Sequence, residues 1–227
     1  LENIINRFYL AVSVNSKNIK MLKEKVQGFN CKINIDKDDG PDDALKKVIS
    51  FVEEDFVWML TCGELIKIKD KNFITKIDKD SIVFGNTTFI NQDGSHSAMN
   101  PKKFNRFYKY KIPILNLSSC IMSKENFLLS SPIKKYKVAT DYEQILRLYN
   151  LNLSLSYTDS FELIFFNDGN SVQNKITGIA EMYHLSKHFY PNKYVTRILF
   201  YILFLLKHRI NPFKFFKQLS KIDAYID

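Results

Sequence analysis

Glycine and proline are scarce in this chain of 227 residues, at seven and six, which excludes collagen-like, Gly/Ser-linker and Pro-rich architectures. Cysteine is scarcer still. Cys31, Cys62 and Cys120 stand far apart without CxxC spacing, so neither a zinc motif nor a disulfide framework is expected, and a reducing compartment fits. No apolar run approaches the ~20 residues that span a bilayer; the unbroken stretch at 198–206 has nine. No charged-then-apolar leader opens the chain, and no internal repeat or RNA-recognition pattern is present.

What remains is an ordinary globular composition, 45% hydrophobic and 14% aromatic, long enough for one large domain or a domain with an appendage. Its net charge of +9 favours an anionic partner: nucleic acid, a phosphorylated substrate or an anionic membrane surface. No motif supports nucleic acid, which is not an expected partner. The carboxyl-terminal stretch "YVTRILFYILFLLKHRINPFKFFKQLSKIDAYID" mixes apolar and basic residues, as a helix lying on a membrane surface does. A helix packed on its own domain or on a dimer partner has the same pattern.

"RFYLAVSVN" reads as a buried first strand. The helix that follows places Ile19, Leu22 and Val26 on one face and stops at Gly28. "CKINID" is a strand, "PDDALKKVISFVEE" a helix with Ala44, Leu45, Val48, Ile49 and Val52 inward, and "DFVWMLTCG" another buried strand. This alternation predicts an α/β domain with a mostly parallel sheet. Further on, "SIVFGNTTFI" is a strand with a polar break at Gly85-Asn86. "NQDGSHSAMNPKKFNRFYKYKIP" is a long polar loop with a turn at "DGS", of a length that often covers substrate. "KVATDYEQILRLYNLN" is a helix opening on a capping box of Thr140 and Glu143 and turning Ile145, Leu148 and Tyr149 inward. "LSLSYTDSFELIFF" is strand-like, "NDGNSV" a turn, and 175–209 helical. His184 and His188 share a helix face at metal-ligand spacing; without a Glu between them, packing is the expected role.

The most informative stretch is "NIDKDDGPDDALKKVIS", residues 34–50. An EF-hand loop beginning at Asp36 fails, because its sixth position is Pro41 and its twelfth Lys47. A helix start succeeds: Asp39 or Gly40 caps, Pro41 suits the first turn, and Asp42 and Asp43 complement the positive helix end. A ligand site also fits, since strand-to-helix turns at carboxyl ends of strands are where open α/β sheets bind ligands.

Over a wider span the chain resembles the family 2 glycosyltransferases of GT-A fold that build bacterial capsule, O-antigen and exopolysaccharide. Their Asp-x-Gly-x-x-Asp-Ala-x-Asn-Lys-Gly motif is met by Asp38, Gly40, Asp43, Ala44 and Lys47, with Lys46 for the Asn and Val48 for the second Gly. Leu60, Gly63, Glu64 and Leu65 then fall on the family's "LNxGDeL" turn. "IVFGN", "YKIPILNLSSCIMSKENF", "YKVATDYEQILRLY" and "FFNDGNSV" resemble later family segments in the same order, so the likeness runs from about residue 8 to 190.

The resemblance implies a Rossmann-like α/β fold with a mixed, mostly parallel sheet flanked by helices in residues 1–172, and a helical basic-amphipathic region in 173–227. It implies a nucleotide-sugar donor, most often a UDP-sugar, and a glycan or lipid-linked acceptor. Asp141 becomes the base of an inverting transfer, with Arg147 in the same motif; helix-dipole complementation is its plainer role. Asn15, Asp38, Asp43, Lys47 and Asn86 fall at donor-binding positions. Glu64 takes the place of the metal carboxylate, for Mg2+ or Mn2+, or else is a solvated turn residue. The expected location is cytoplasmic, at the inner membrane face, with Arg197, Lys207, His208, Arg209, Lys214 and Lys217 turned to headgroups. The interval from Asn15 to Asp38 is too short for the family's further strand-helix unit. The resemblance therefore implies either completion of the pocket by another chain, as in a homo-oligomer, or a degenerate subunit that binds or scaffolds.

Overall fold

β-Branched and aromatic residues make the first strand where expected, β1 at Phe8–Ser13, but it is half-buried. It pairs in parallel with β2, Cys31–Asp36, from Phe8↔Cys31 to Ser13↔Asp36, and the two form a sheet of their own. Two strands are too narrow a layer to bury both faces. The computed structural model describes residues 7–13, 18–37, 41–61, 63–99, 116–132, 136–151, 153–167, 174–207 and 209–222. Between the strands runs α1, Ile19–Lys25, with Ile19, Leu22 and Val26 half-buried in line with their spacing. Helix α2, Pro41–Ser50, buries Val48 and Ile49, and Val52 is buried just beyond its end.

The next strand departs from simple alternation. β3 is three residues long, Phe56–Trp58, and half-buried. It pairs antiparallel with β7, Cys120–Ser123, at Trp58↔Ile121, because Trp58 is claimed by the second sheet. Its Nε1 donates to Ser118 O at 2.8 Å, and its ring packs 4.6 Å from that of Phe161.

That second sheet runs β3-β7-β5-β8-β4 with β6 on β5, where β4 is Leu65–Ile68, β5 Ser81–Asn91, β6 His96–Met99 and β8 Ser154–Asn167. The sheets are mixed. The two longest ladders, β1 with β2 and β5 with β8, are parallel, and the other four pairings are antiparallel. β6 occupies the start of the expected long loop, where the "DGS" turn closes a hairpin: Asp93 Oδ1 accepts from Ser95 N and Oγ at 2.9 and 2.6 Å. The rest of that loop lies within 100–115, outside the described residues, as does the "NDGNSV" turn beyond its first residue, Asn167, which ends β8.

The expected break at Gly85-Asn86 is a bulge within a continuous strand. Phe84 pairs with Tyr157 and Asn86 with Glu162, so residues 158–161 loop out opposite Gly85 and fold the fully buried Phe161 against its backbone. A Cβ at Gly85 would lie 2.1 Å from the Phe161 ring, which explains the glycine in this strand.

Helix α3, Lys124–Ser130, is capped by Ser123, whose Oγ accepts from Asn126 N. Helix α4, Thr140–Asn150, serves two cores. Ile145 and Leu148 join the sheet, α2 and Phe127, while Tyr142 and Leu146 join the carboxyl-terminal helices α5 (Lys175–Phe189), α6 (Tyr194–Lys207) and α7 (Pro212–Leu219). In α6 the inward stripe is Arg197, Tyr201 and Leu205. Arg197 is thus not turned to headgroups. At 2% exposure, its Nη1 donates to Ser186 O at 3.1 Å and Tyr190 O at 2.9 Å, carbonyls at the end of α5, where a cation complements the helix dipole. No described helix is long and apolar enough to cross a membrane.

Candidate active site

The start of α4 is held by a residue from another helix. Glu181 of α5 is fully buried, and its carboxylate accepts from three successive amides: Lys137 N to Oε1 at 3.0 Å, Val138 N and Ala139 N to Oε2 at 2.9 Å each. A carboxylate there satisfies the amides of the segment that leads into α4, as far as its cap residue Ala139. Gly178, one turn earlier on the same face, permits the approach, since a Cβ on it would meet Val138 Cγ1 at 2.9 Å.

The capping box expected from Thr140 and Glu143 is therefore not formed. Ala139 is the cap, Thr140 Oγ1 donates to Tyr136 O, and the buried Glu143 turns along the helix to Arg147 at 3.0 Å. Arg147 also lies over the Phe189 ring, 6.0 Å from its centroid. Glu181 thus holds the three residues that lead into α4, and α4 itself starts without a side-chain cap.

Asp141 stands exposed in the first turn of α4. Its charge is felt at Cys120, the first residue of β7: burial pushes that thiol up, and the negative charge of Asp141 pushes it further. Cys120 pairs with Phe84, next to the Ile121↔Trp58 pair. Helix α2 is tied to the approach to α4 by Lys46 Nζ, which donates to Pro132 O at 2.9 Å. Gln144 Nε2 donates to Ser130 Oγ at 3.2 Å across the α3–α4 contact.

At the exit of β2, Lys47 gathers its neighbours. Its Nζ is 2.9 Å from Asp43 and 3.6 Å from Asp36, and it donates to Lys37 O. The hydrogen bond to Asp43, then the charges of both carboxylates, raise the Lys47 pKa above its ordinary value. Asp43 and Lys47 thus form one polar cluster at a strand-to-helix turn, the position an α/β sheet offers to ligands. Asn15 and Asp38 lie outside the described residues.

Beyond β3 the chain turns through Gly63 at φ +90. Glu64 closes this turn on itself, Oε2 accepting from Thr61 N at 2.7 Å. One carboxylate fixed on a tight turn suits an ion of the Mg2+ type, which binds through one or two carboxylates, phosphates and retained waters. It does not suit an all-protein cage, and among the described residues no three His, Cys, Asp or Glu side chains converge. Asn86 is occupied within the sheet, its Oδ1 accepting from Tyr157 OH at 2.9 Å. His184 Nδ1 meets Tyr136 OH at 3.0 Å, and His188 is exposed against Phe189. A groove of about 250 Å³ is lined by Tyr9, Lys32, Asn34, Val48 and Phe51, and neither Asp43 nor Lys47 is among its lining residues.

Glu181 and Arg197 were not singled out for these roles by pattern. The available signal was a lone acid in the apolar run "TGIAEMYHL" and a lone base on the inward stripe of α6.

A mixed sheet flanked by helices makes this an α/β fold that resembles the GT-A-like fold of a solved glycosyltransferase. TarS of Staphylococcus aureus, residues 1–349 in complex with UDP-GlcNAc, is among the solved structures it matches, at a TM-score of 0.53 and 14% identity. The match covers 79% of this chain and 55% of that one, so the chain spans about half the length of the TarS structure. No protein-family model matches the sequence, and no curated protein matches it significantly.

Proposed function

We propose that this chain is a glycosyltransferase that takes a sugar from a nucleotide donor, a UDP-sugar first of all, and transfers it to a bacterial surface glycan or its lipid-linked precursor. The observation that carries the reading is the fold shared with TarS, whose structure holds UDP-GlcNAc, over 79% of the chain. In this reading the donor lies against the Asp43–Lys47 cluster, and the resemblance adds Asn15 and Asp38 as further donor-binding residues. Asp141, on a helix entrance fixed by Glu181, takes the proton of the acceptor hydroxyl as that oxygen bonds to the anomeric carbon and the nucleoside diphosphate departs from the opposite face. That geometry inverts the anomeric centre. Rigid backbone under a general base is what such a step requires. A divalent cation held by Glu64 supplies charge neutralisation to the departing diphosphate when bound.

Calorimetry with UDP-, GDP- and dTDP-sugars in Mg2+ or Mn2+ tests the donor, with a glycan transfer assay beside it. Asp141→Asn is expected to retain donor binding and lose transfer by 10²-fold or more, a typical contribution of a positioned base. Absence of donor heat, together with unchanged transfer in Asp141→Asn, sinks the enzyme reading. A second reading, a glycosyltransferase-like binding or scaffolding subunit, is favoured by the narrow two-stranded sheet that constitutes the nucleotide side and by the engagement of Glu64 in its own turn. That reading predicts no donor binding by the isolated chain.

A further inference from the structure

The inward stripe of α6 leaves the opposite stripe of the same helix uncovered. Val195, Leu199, Leu203 and Leu206 are 76%, 57%, 56% and 64% exposed, and in α7 Phe213 and Phe216 are 77% and 58% exposed. Their spacing in α6, four, four and three residues, keeps them on one face. Six large apolar side chains standing in water on two neighbouring helices exceed the scattered exposure usual on a soluble surface.

The face is held in place from behind. Arg197 is bonded to the end of α5, Tyr201, Leu205 and Phe215 are buried in one cluster with α5, and Asn211 Oδ1 caps α7 by accepting from Phe213 N at 2.9 Å. The apolar stripe is therefore preformed and does not need a partner to order it.

Charge selects the occupant. From residue 182 to 222 the sequence contains no Asp or Glu, and Lys207, Arg209, Lys214 and Lys217 are all exposed at the end of α6 and along α7. A two-fold pairing of this face with a second copy would set the basic rim against itself. We infer that this face of α6 and α7 docks on an anionic phospholipid surface, the apolar side chains entering the headgroup region and the four cations meeting lipid phosphate. The docking is interfacial, since no described helix can cross the bilayer. It stands on the exposed face alone and does not depend on the transferase reading.

Co-sedimentation of the full chain with vesicles tests it, using neutral phosphatidylcholine and phosphatidylcholine with 30% phosphatidylglycerol in parallel. Two variants accompany the wild type: Leu206→Ser/Phe213→Ser, and Lys207→Glu/Lys214→Glu/Lys217→Glu. Both change exposed side chains, and circular dichroism checks that they fold. Each cation near an anionic surface strengthens binding about fivefold. The wild type is expected to bind anionic vesicles at least tenfold better than neutral ones, with binding reduced at least tenfold in each variant. Absence of binding to anionic vesicles overturns the inference, as does binding that both variants retain. A wild-type dimer that Leu206→Ser/Phe213→Ser converts to monomer, seen by sedimentation velocity, also overturns it in favour of a second copy.

Discussion

Replacing Glu181 tests the anchoring of the α4 entrance directly. Glu181→Ala leaves three amides without their acceptor. Lys137 is exposed and rehydrates, Val138 is half-buried, and Ala139 is buried and bears the full cost of an unsatisfied donor, about 1–3 kcal/mol. With the partial cost at Val138 and the cavity left by the side chain, the loss comes to about 3–4 kcal/mol. Glu181→Gln keeps one carbonyl oxygen for Val138 and Ala139 and loses the acceptor at Lys137, so about 1–2 kcal/mol is expected. For a chain of this size each kcal/mol moves Tm by about 2–4 °C. Urea titration and thermal melting give the totals, and amide hydrogen exchange at 137–139 localises them. An alanine variant within about 0.5 kcal/mol of wild type, with exchange at those amides unchanged, would refute the reasoning.

Gly85→Ala drives a methyl group into the Phe161 ring and is expected to cost roughly 3 kcal/mol or to abolish folding; Gly85→Ala/Phe161→Leu should recover part of the loss in the same denaturation assay. Glu162 accepts from Thr88 Oγ1 at 2.6 Å and faces Lys69 at 3.4 Å, and these hold its carboxyl below the ordinary 4.5. A depressed folded value contributes stability above about 4.5 that is lost as pH falls through it. Glu162→Gln is therefore expected to be less stable by about 1 kcal/mol at neutral pH and to approach wild type as pH falls below the ordinary 4.5 and through the depressed value, as read by urea midpoints; a difference that stays constant as the pH is lowered would contradict the assignment.

Most of the elements were legible because their signals are local. Strand composition located β1, β2, β5 and β8, and helical spacing located α1, α2 and the inward residues of α4. Pairing partners were less legible. β3 follows a strand-helix alternation that suggests a parallel neighbour, yet Trp58 commits it to β7 through contacts with Ser118 and Phe161 far away in sequence. The same limit applies to the helix entrance. Thr140 and Glu143 have the spacing of a capping box, and nothing local reveals that Ala139 is the cap and that Glu181 holds the residues before it. The break at Gly85 was visible as glycine; that it accommodates Phe161 was not. At the site, the Asp43–Lys47 cluster and the helix-start position of Asp141 follow from sequence, whereas the engagement of Glu64 and Asn86 by Thr61 and Tyr157 required coordinates.

The Glu181 anchor also orders events in time. The chain leaves the ribosome from its amino end, and Ala139 precedes Glu181 by 42 residues, about 2–8 s of synthesis at ~5–20 residues per second. During that interval β8 can already be paired, while the segment carrying Asp141 awaits the acid that will fix it. A polypeptide cut after β8 would keep Asp43, Lys47, Glu64 and Asp141 but lack the acid that holds the approach to α4, so the site segment is completed only when α5 has been made.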